Sequence, residues 1–265
     1  DYLFHLENYQ ISRYWRIIFR KIWPLPAIPR QRLVWTAKLK AVFSLSLVLQ
    51  ALAAFGVSYF FGQSLAGLFF YLSVFLIFLI LFAGHFVFLT AAVLIVWPLD
   101  FFLKRIIVRR AKIRLAGFPD LKIIAIAGSY GKTTMKEVLA SILGEKFNVL
   151  KTPENINTPL GVARLLLREL RPETEILIVE MGAYQRGDIA GLCRLTPPDI
   201  AVLTGINESH LERFGSLANT VAAKFEIIDG LRPAGIAVFN ADNSLILKNY
   251  QRHLRGQKTF FYTAA

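Results

Sequence analysis

The pattern of hydrophobic and polar positions changes once along the chain, near residue 121. Residues 41–103 are apolar almost without interruption, whereas later short apolar runs alternate with stretches of helical spacing. Alternating strands and helices predict right-handed crossovers and a parallel sheet with both faces covered, which is an α/β fold. The predicted strands are KIIAIAG (122–128), NVL (148–150), EILIVEMG (175–182), DIAVLTG (199–205) and GIAVFNAD (235–242), and the predicted helices cover 135–147, 159–170, 187–194 and 217–231.

The apolar block is long enough to cross a lipid bilayer more than once. A crossing takes about 20 apolar residues, and residues 41–63 meet that length. As a single helix, the tract 64–103 would extend roughly 60 Å, about twice the thickness of a hydrocarbon core. We therefore expect it to break, at Gly84-His85 and at Pro98, and we predict an α-helical transmembrane region of two or three helices over 41–103.

Basic residues are concentrated on either side of this block. The net charge is +13, yet residues 41–103 contain no Lys or Arg, while residues 1–40 hold eight and residues 104–120 hold six. This placement favours anionic lipid headgroups over nucleic acid as the partner. It predicts a basic amphipathic arm at the interface (1–40) and a basic juxtamembrane linker (104–120). It also favours an even number of crossings, because both flanks then lie on the cytoplasmic side.

Composition narrows the class of protein further. Hydrophobic residues make up 55% of the chain and charged residues only 18%, which is unlike a fully soluble or disordered protein. The single cysteine, Cys193, excludes an intramolecular disulfide framework and a multi-cysteine metal site. Because the sequence starts at Asp1 and stops after a strand-like run, we expect a piece of a longer protein whose last domain, 121–265, is truncated.

Candidate chemistry begins where the first predicted strand ends. The sequence GSYGKTT (128–134) lies between a strand and a helix, the context of a phosphate-binding loop. Gly128 and Gly131 allow backbone amides to turn toward phosphate oxygens. Lys132 can reach the β- and γ-phosphates, and the Thr133 hydroxyl can ligate Mg²⁺. The other predicted ATP-binding residues of the loop are Ser129, Tyr130 and Thr134.

The loop departs from the longer form of this motif, since Ile126 stands where the first glycine would be. The alternative interpretation is a chance Gly-Lys-Thr at the start of a helix. A carboxylate is predicted nearby, because Glu180 ends an apolar strand and open α/β sheets bind ligands at the carboxyl ends of their strands. A carboxylate at that position suits Mg²⁺, whereas the alternative is a solvated acid at a strand end.

Five stretches, in order along the chain, resemble the Mur ligases, ATP-dependent amide-bond-forming enzymes of peptidoglycan precursor synthesis. The likeness is carried by GSYGKTT (128–134), TPENINTPLGVARLLL (152–167), VEMGAYQRGDIAGL (179–192), TGINESHLERFGS (204–216) and VAAKFEII (221–228). It is strongest to the branch that adds D-alanyl-D-alanine, and it covers residues 122–242, the central ATPase domain up to its truncation. Residues 1–120 do not resemble the UDP-sugar-binding domain that usually precedes it.

The resemblance implies roles for residues outside the loop. It makes Glu180 a ligand of one Mg²⁺ and His210 a ligand of a second. Lys224 would be a carbamylated lysine whose added carboxylate helps to hold the second metal. Asn157, favoured over Asn155, would lie near the γ-phosphate and the acceptor substrate. The expected catalytic residues are Lys132, His210 and Lys224.

The activity that the resemblance implies is a two-step ligation. A substrate carboxylate attacks the γ-phosphoryl group of ATP to give an acyl phosphate, and an amine then displaces phosphate to leave an amide bond. ATP and Mg²⁺ are the expected cofactors, and a UDP-muramyl peptide and D-alanyl-D-alanine are the expected substrates. The expected location is a bacterial inner membrane, with the catalytic domain on the cytoplasmic side.

Two other functions stay open from the sequence. One is a membrane-anchored nucleotide-binding module or NTPase without ligase activity, which would not require His210 or Lys224. The other is a related ligase acting on folate or on amino-acid polymers. A truncated chain is expected to bind nucleotide without turning it over.

Overall fold

The computed structural model describes residues 36–62, 75, 77, 79, 81, 84–208 and 214–263. The chain divides into two compact units, Asp1–Phe102 and Leu103–Ala265. The predicted interfacial arm lies outside the described residues except for 36–40, and the predicted metal ligand His210 also lies outside them.

Two long apolar helices precede the α/β part of the chain. Helix α1 runs from Ala37 to Gly62, and helix α2 runs from His85 to Ala116. The stretches Ala37–Val57 and Val87–Ala116 have the length and composition of membrane spans. Only 11% of the most apolar 18-residue segment is buried in the first stretch, and only 17% in the second. The helix of a soluble core would be mostly buried. The predicted choice between two and three crossings depends on residues 63–83, most of which lie outside the described residues.

Polar side chains in these helices have partners inside the first unit. Lys38 Nζ forms an ion pair with Asp100 Oδ2 at 2.8 Å, and Gln50 Nε2 lies 2.5 Å from His85 Nδ1. Because polar groups in apolar helices are costly unless paired, these contacts give His85 and Asp100 a structural role. The same helices share a small apolar cluster of Val42, Leu89, Ala92 and Val93.

The sequence predicts that the helix breaks at Pro98, and this prediction is wrong. Gly84 lies in a turn and α2 begins at the next residue, as expected, but the helix then continues through Pro98 to Ala116. Proline removes one backbone hydrogen bond and crowds the preceding turn. Within a helix of 32 residues the remaining hydrogen bonds are sufficient to keep the helix continuous.

The second unit is a parallel sheet covered by helices, which confirms the predicted α/β fold. Its strands are β1 (Lys122–Ala127), β2 (Val149–Lys151), β3 (Ile176–Met181), β4 (Ile200–Leu203), β5 (Ile236–Asn240) and β6 (Lys258–Tyr262). Its helices are α3 (Lys132–Gly144), α4 (Pro159–Glu169), α5 (Asp188–Leu195), α6 (Leu217–Asp229) and α7 (Ser244–Asn249). Among the described residues the strand order is β2-β3-β1-β4-β5-β6, with every pair parallel.

The central strands are apolar on both faces because helices cover both. On β1, Ile123 and Ala125 join the core that contains α4, α5 and α6, while Ile124 and Ile126 join the core against α3. Polar side chains cap the first turns of α4, α6 and α7. At α6, for example, the Ser216 hydroxyl accepts a hydrogen bond from the Asn219 amide at 3.2 Å, which is a helix N-cap.

The sheet brings the ends of three strands together at one edge. Strand β1 lies between β3 and β4, and its last residue, Ala127, is in register with Met181 and Leu203. The chain leaves β1 toward β2 on one side, whereas it leaves β4 toward β5 on the other. Such a point of reversal opens a crevice at the carboxyl ends of the strands, where α/β sheets bind ligands.

Candidate nucleotide-binding site

The loop between β1 and α3 fits closely against the segment that follows β4. A Cβ on Gly128 would lie 2.1 Å from Thr204 Oγ1, so this position has no room for a side chain. Thr204 Oγ1 lies 2.5 Å from the carbonyl oxygen of Tyr130 and donates to it. Gly131 has a φ of 74°, in the left-handed region that glycine adopts most readily, and it precedes the first residue of α3.

Further hydrogen bonds fix this loop. The Ser129 amide donates to the Gly205 carbonyl at 2.7 Å, and the Asn207 amide donates to the Ser129 hydroxyl at 3.3 Å. Residue 131 provides no side-chain cap for α3, so the first amides of the helix remain available to an anionic ligand. Thr134 is exposed on the first turn of this helix. The glycine turn and the uncapped start of α3 suit the predicted binding of phosphate.

Two asparagines, Asn240 at the end of β5 and Asn243 just after it, take part in this arrangement, and the sequence did not single them out. Asn243 Nδ2 donates to the Tyr130 hydroxyl at 3.0 Å, and Asn240 Nδ2 donates to the Thr204 carbonyl at 2.8 Å. Gly205 leaves space for the aromatic ring, because a Cβ there would lie 2.3 Å from Tyr130 Cζ. The available signal was the run FNADN (239–243), which includes the last two residues of the apolar strand β5 and lies at the same edge as the other strand ends.

The side chain of Lys132 contacts the backbone of the loop between β1 and α3. Its Nζ donates to the Gly128 carbonyl at 2.9 Å. Burial lowers the pKa of Lys132, and the negative charge of Glu180 partly opposes that shift. The ammonium group therefore lies at the phosphate loop and within electrostatic reach of the carboxylate at the end of β3.

The predicted pair of metal ligands, Thr133 and Glu180, is brought into contact. The Thr133 hydroxyl donates to Glu180 Oε2 at 3.0 Å, and Glu180 is only 5% exposed. The backbone of Glu180 is also held, because its amide donates to the Thr152 hydroxyl at 2.9 Å. These contacts fix the carboxylate beside the phosphate loop.

A second lysine on α3, which the sequence analysis missed, reaches the same carboxylate. The side chain of Lys136 is fully buried, and its Nζ lies 3.3 Å from Glu180 Oε2 and 3.6 Å from Glu137 Oε1. Neither contact has the geometry of a hydrogen bond, so this amine is buried without a hydrogen-bond partner among the residues that the structure describes. The signal in the sequence was its spacing, three residues after Thr133 on one helix face.

The residues at this edge suit a magnesium ion that arrives with a nucleotide. Magnesium sites of this kind use one or two protein ligands and complete the shell with phosphate oxygens and water. Thr133 and Glu180 provide such a donor set, and no group of three or more His, Cys, Asp or Glu side chains gathers in the described part of the chain. The donor chemistry of Thr133 and Glu180 fits a magnesium ion whose remaining ligands come from phosphate and water.

Asn157 lies beside the end of β3. The side-chain amide group of Asn157 would be 2.8–3.1 Å from a Cβ on Gly182. The backbone carbonyl of Asn157 accepts a hydrogen bond from the Gly182 amide at 3.2 Å. Asn155 instead has a φ of 64°, a backbone role that asparagine tolerates better than most residues. Asn157 thus contacts Gly182, two residues after Glu180, and its contact with nucleotide stays a prediction.

Lys224 is buried in α6 and lies close to the charges of the site. Its Nζ is 5.8 Å from the centre of the Phe214 ring. Burial lowers the pKa of Lys224 to about 8, helped by the positive charge of Lys132 and opposed by Asp188 and Glu226. The structure thus places Lys224 within electrostatic reach of Lys132, while its predicted partner in the second metal site lies outside the described residues.

A groove of about 600 Å³ lies at the opposite edge of the sheet. It is formed at the amino ends of β1 and β3 and includes Phe118, Lys122, Phe147 and Glu175. None of the predicted ATP-binding or metal-binding residues that the structure describes lines it. The groove is therefore separate from the candidate site, whose position follows from the convergence of polar side chains.

Comparison with curated proteins identifies relatives of the chain. It is 38% identical over 179 residues to the UDP-N-acetylmuramoyl-tripeptide–D-alanyl-D-alanine ligase of Escherichia coli, covering 65% of this chain and 39% of that protein. The Bacillus subtilis ligase of the same name is 39% identical over 129 residues, covering 49% of this chain and 28% of that protein. The chain thus spans two fifths or less of the length of these relatives.

Solved structures show the same architecture. MurF from Acinetobacter baumannii superposes with a TM-score of 0.57 at 31% identity, covering 60% of this chain and 34% of that one. MurF from Thermotoga maritima, solved in complex with ADP, gives a TM-score of 0.56 at 37% identity, covering 60% and 36%. The family model of the Mur ligase middle domain matches residues 126–264. Since that match covers more than half of the chain, the chain belongs to the Mur ligase family and contains its middle domain.

Proposed function

We propose that this chain is the ATP-binding part of a ligase that joins D-alanyl-D-alanine to a UDP-N-acetylmuramoyl peptide. The observation that carries the proposal is the convergence of the phosphate loop with Thr133 and Glu180 at one edge of the sheet. The similarity to D-alanyl-D-alanine ligases and to an ADP-bound MurF supports both the nucleotide and the substrate class.

In the proposed reaction the protein positions reactants and stabilises charge. A carboxylate oxygen of the muramyl peptide attacks the γ-phosphorus of ATP, the bond to the bridging oxygen breaks, and ADP leaves with that electron pair. The amine of D-alanyl-D-alanine then attacks the acyl carbon, phosphate leaves and the amine loses a proton. Lys132 and the loop amides face the charge that develops on the phosphoryl group.

Thr133 and Glu180 would hold Mg²⁺ in this proposal. When bound, the metal neutralises phosphate charge. For a second metal we propose Lys224 as a carbamate, together with His210. Carbamate formation needs a neutral amine, and burial supports this because it lowers the pKa of Lys224 to about 8.

We also propose that the domain is held at the cytoplasmic face of a bacterial inner membrane. The apolar stretches of α1 and α2 support this proposal. The second half of α2 adds further support, because it changes from apolar to basic after residue 103 and exposes Arg109, Arg110 and Lys112. Cations at that position favour anionic headgroups on the cytoplasmic side.

The test of the ligase proposal is substrate-dependent phosphate release. In a protein that carries this chain with the further length of its relatives, release from ATP should require both the UDP-muramyl tripeptide and D-alanyl-D-alanine. Lys132→Ala should lower the rate by about a hundredfold or more, whereas Lys122→Ala, an exposed lysine at the other edge of the sheet, should not. The 265-residue chain alone should bind ATP without releasing phosphate. Release that is independent of both substrates would instead indicate an NTPase.

A further inference from the structure

The buried ammonium of Lys136 has one main counterion. Its neighbour Glu137 is already engaged, because Glu137 Oε2 binds Lys151 Nζ and that contact lowers the pKa of the Glu137 carboxyl. Glu137 is also solvent-exposed, which weakens its attraction for a buried cation. Glu180, by contrast, is buried and presents Oε2 at 3.3 Å from Lys136 Nζ. A buried cation is stable only when paired, so Glu180 is the group that balances this charge.

The oxygen that faces Lys136 is also the oxygen that accepts the Thr133 hydroxyl. Glu180 Oε2 therefore lies between a hydroxyl donor at 3.0 Å and an ammonium at 3.3 Å. A divalent cation that approaches Thr133 and Glu180 without a nucleotide meets the positive charges of Lys136 and Lys132. A triphosphate brings several negative charges to the same place and reverses that balance.

We infer that Lys136 is a positioning residue that neutralises Glu180 in the nucleotide-free protein and keeps divalent metal from binding before the nucleotide. This inference rests on the proposed function, in which Thr133 and Glu180 hold Mg²⁺. The metal then enters the site together with the phosphates. Lys136 also fixes the Glu180 carboxylate beside Thr133, so that both donors are in place when the nucleotide arrives.

The test is Mn²⁺ binding to the full chain in detergent without nucleotide, measured by electron paramagnetic resonance. Lys136→Met keeps the length of the side chain and removes its charge, and it should tighten Mn²⁺ binding by about tenfold or more. Lys136→Arg restores the charge and should bind Mn²⁺ as weakly as the wild type. Lys146→Met is the matched control: it makes the same change in net charge at an exposed position just beyond α3 and should leave Mn²⁺ affinity unchanged.

Glu180→Gln separates failure of this inference from failure of the proposed function. Loss of Mn²⁺ binding with ADP in Glu180→Gln, combined with unchanged nucleotide-free affinity in Lys136→Met, overturns the role of Lys136 alone. Unchanged Mn²⁺ binding with ADP in Glu180→Gln overturns the proposed metal site itself. If Lys136→Met does not melt cooperatively, the test uses the wild-type protein instead. Equal Mn²⁺ affinity of the wild type with and without ADP contradicts the inference.

Discussion

At the scale of single residues, the site is defined by three lysines at different depths. Lys132 is half-buried and donates to the loop, whereas Lys136 is fully buried against Glu180 and Lys224 is buried in α6. Burying a cation costs free energy, so residues of this kind are seldom kept for packing alone. Lys132 and Lys136 lie near the Glu180 carboxylate, and Lys224 lies within electrostatic reach of Lys132, an arrangement that suits an anionic ligand.

Lys224 should make the stability of the protein depend on pH. Its pKa is about 8 in the folded chain and near 10.5 when exposed, so the unfolded chain binds more protons between those values. Wild-type stability should therefore rise with pH across this window. Lys224→Met should be more stable than the wild type at pH 7, by roughly 3 kcal/mol at most, and this advantage should shrink toward pH 10.

The measurement is urea unfolding at pH 7 and at pH 9.5 in buffers free of bicarbonate. Lys248→Met, which removes an exposed lysine on α7, should show no such pH-dependent gain. An equal effect of Lys224→Met at both pH values would show that the amine is not held at a lowered pKa.

At the scale of elements, the site depends on two segments that fix each other. The loop after β1 and residues 204–207 after β4 are joined through Thr204, Ser129 and Gly205. Neither segment belongs to a helix or a strand, yet each supplies hydrogen-bond partners that the other needs. The loop is thereby shaped before a ligand arrives, which lowers the ordering cost of binding.

Gly128→Ala should disrupt this arrangement. The new Cβ would lie 2.1 Å from Thr204 Oγ1, whose hydroxyl is bound to the Tyr130 carbonyl, so the loop backbone must move. We expect ATP affinity to fall by about tenfold or more, measured by isothermal titration calorimetry with Mg²⁺. Gly144→Ala, where a Cβ meets nothing within 4 Å, is the control and should leave affinity unchanged. Equal ATP affinity in both variants would contradict this account of the loop.

At the scale of the whole molecule, helix α2 belongs to both compact units. The boundary after Phe102 falls inside this helix, and its second half joins the α/β core through Ala111 and Leu115. Arg114 strengthens this connection, because its Nη2 donates to the Leu170 carbonyl at 2.7 Å. The segment predicted as a basic linker is therefore helical through Ala116, and one face of it is part of the core of the second unit.

Removing residues 1–102 should convert firm membrane association into a weak electrostatic one. The full chain should stay in the membrane pellet after carbonate extraction. The shortened chain keeps only the basic face of α2, worth about 1 kcal/mol per cation near an anionic surface, and should bind anionic vesicles at low salt and release at high salt. Sedimentation with vesicles at low and at high salt measures the binding and the release. Carbonate-resistant pelleting of the shortened chain would contradict the proposed anchor.

Several features followed from sequence because they are local. The strand–loop–helix pattern around GSYGKTT predicted the glycine turn between β1 and α3, and Glu180 lies beside that turn, as expected, because strand ends in a parallel sheet share one edge. The predicted helix break at Pro98 was wrong because that prediction also used local sequence alone. Local propensity favours a break there, while the length of the surrounding helix keeps it intact.

The sequence by itself determined the class of strands β1 to β5 and of helices α3 to α6, the place of the glycine loop between β1 and α3, and the family, since these depend on residues close together in the chain. Tertiary structure alone decided that Lys136 neutralises Glu180, that Asn243 binds Tyr130 and that Thr204 fills the space beside Gly128. Each of these contacts joins residues more than forty positions apart. They exist because β1 pairs with β3 and β4, and strand order is set by how the helices bury the two faces of the sheet.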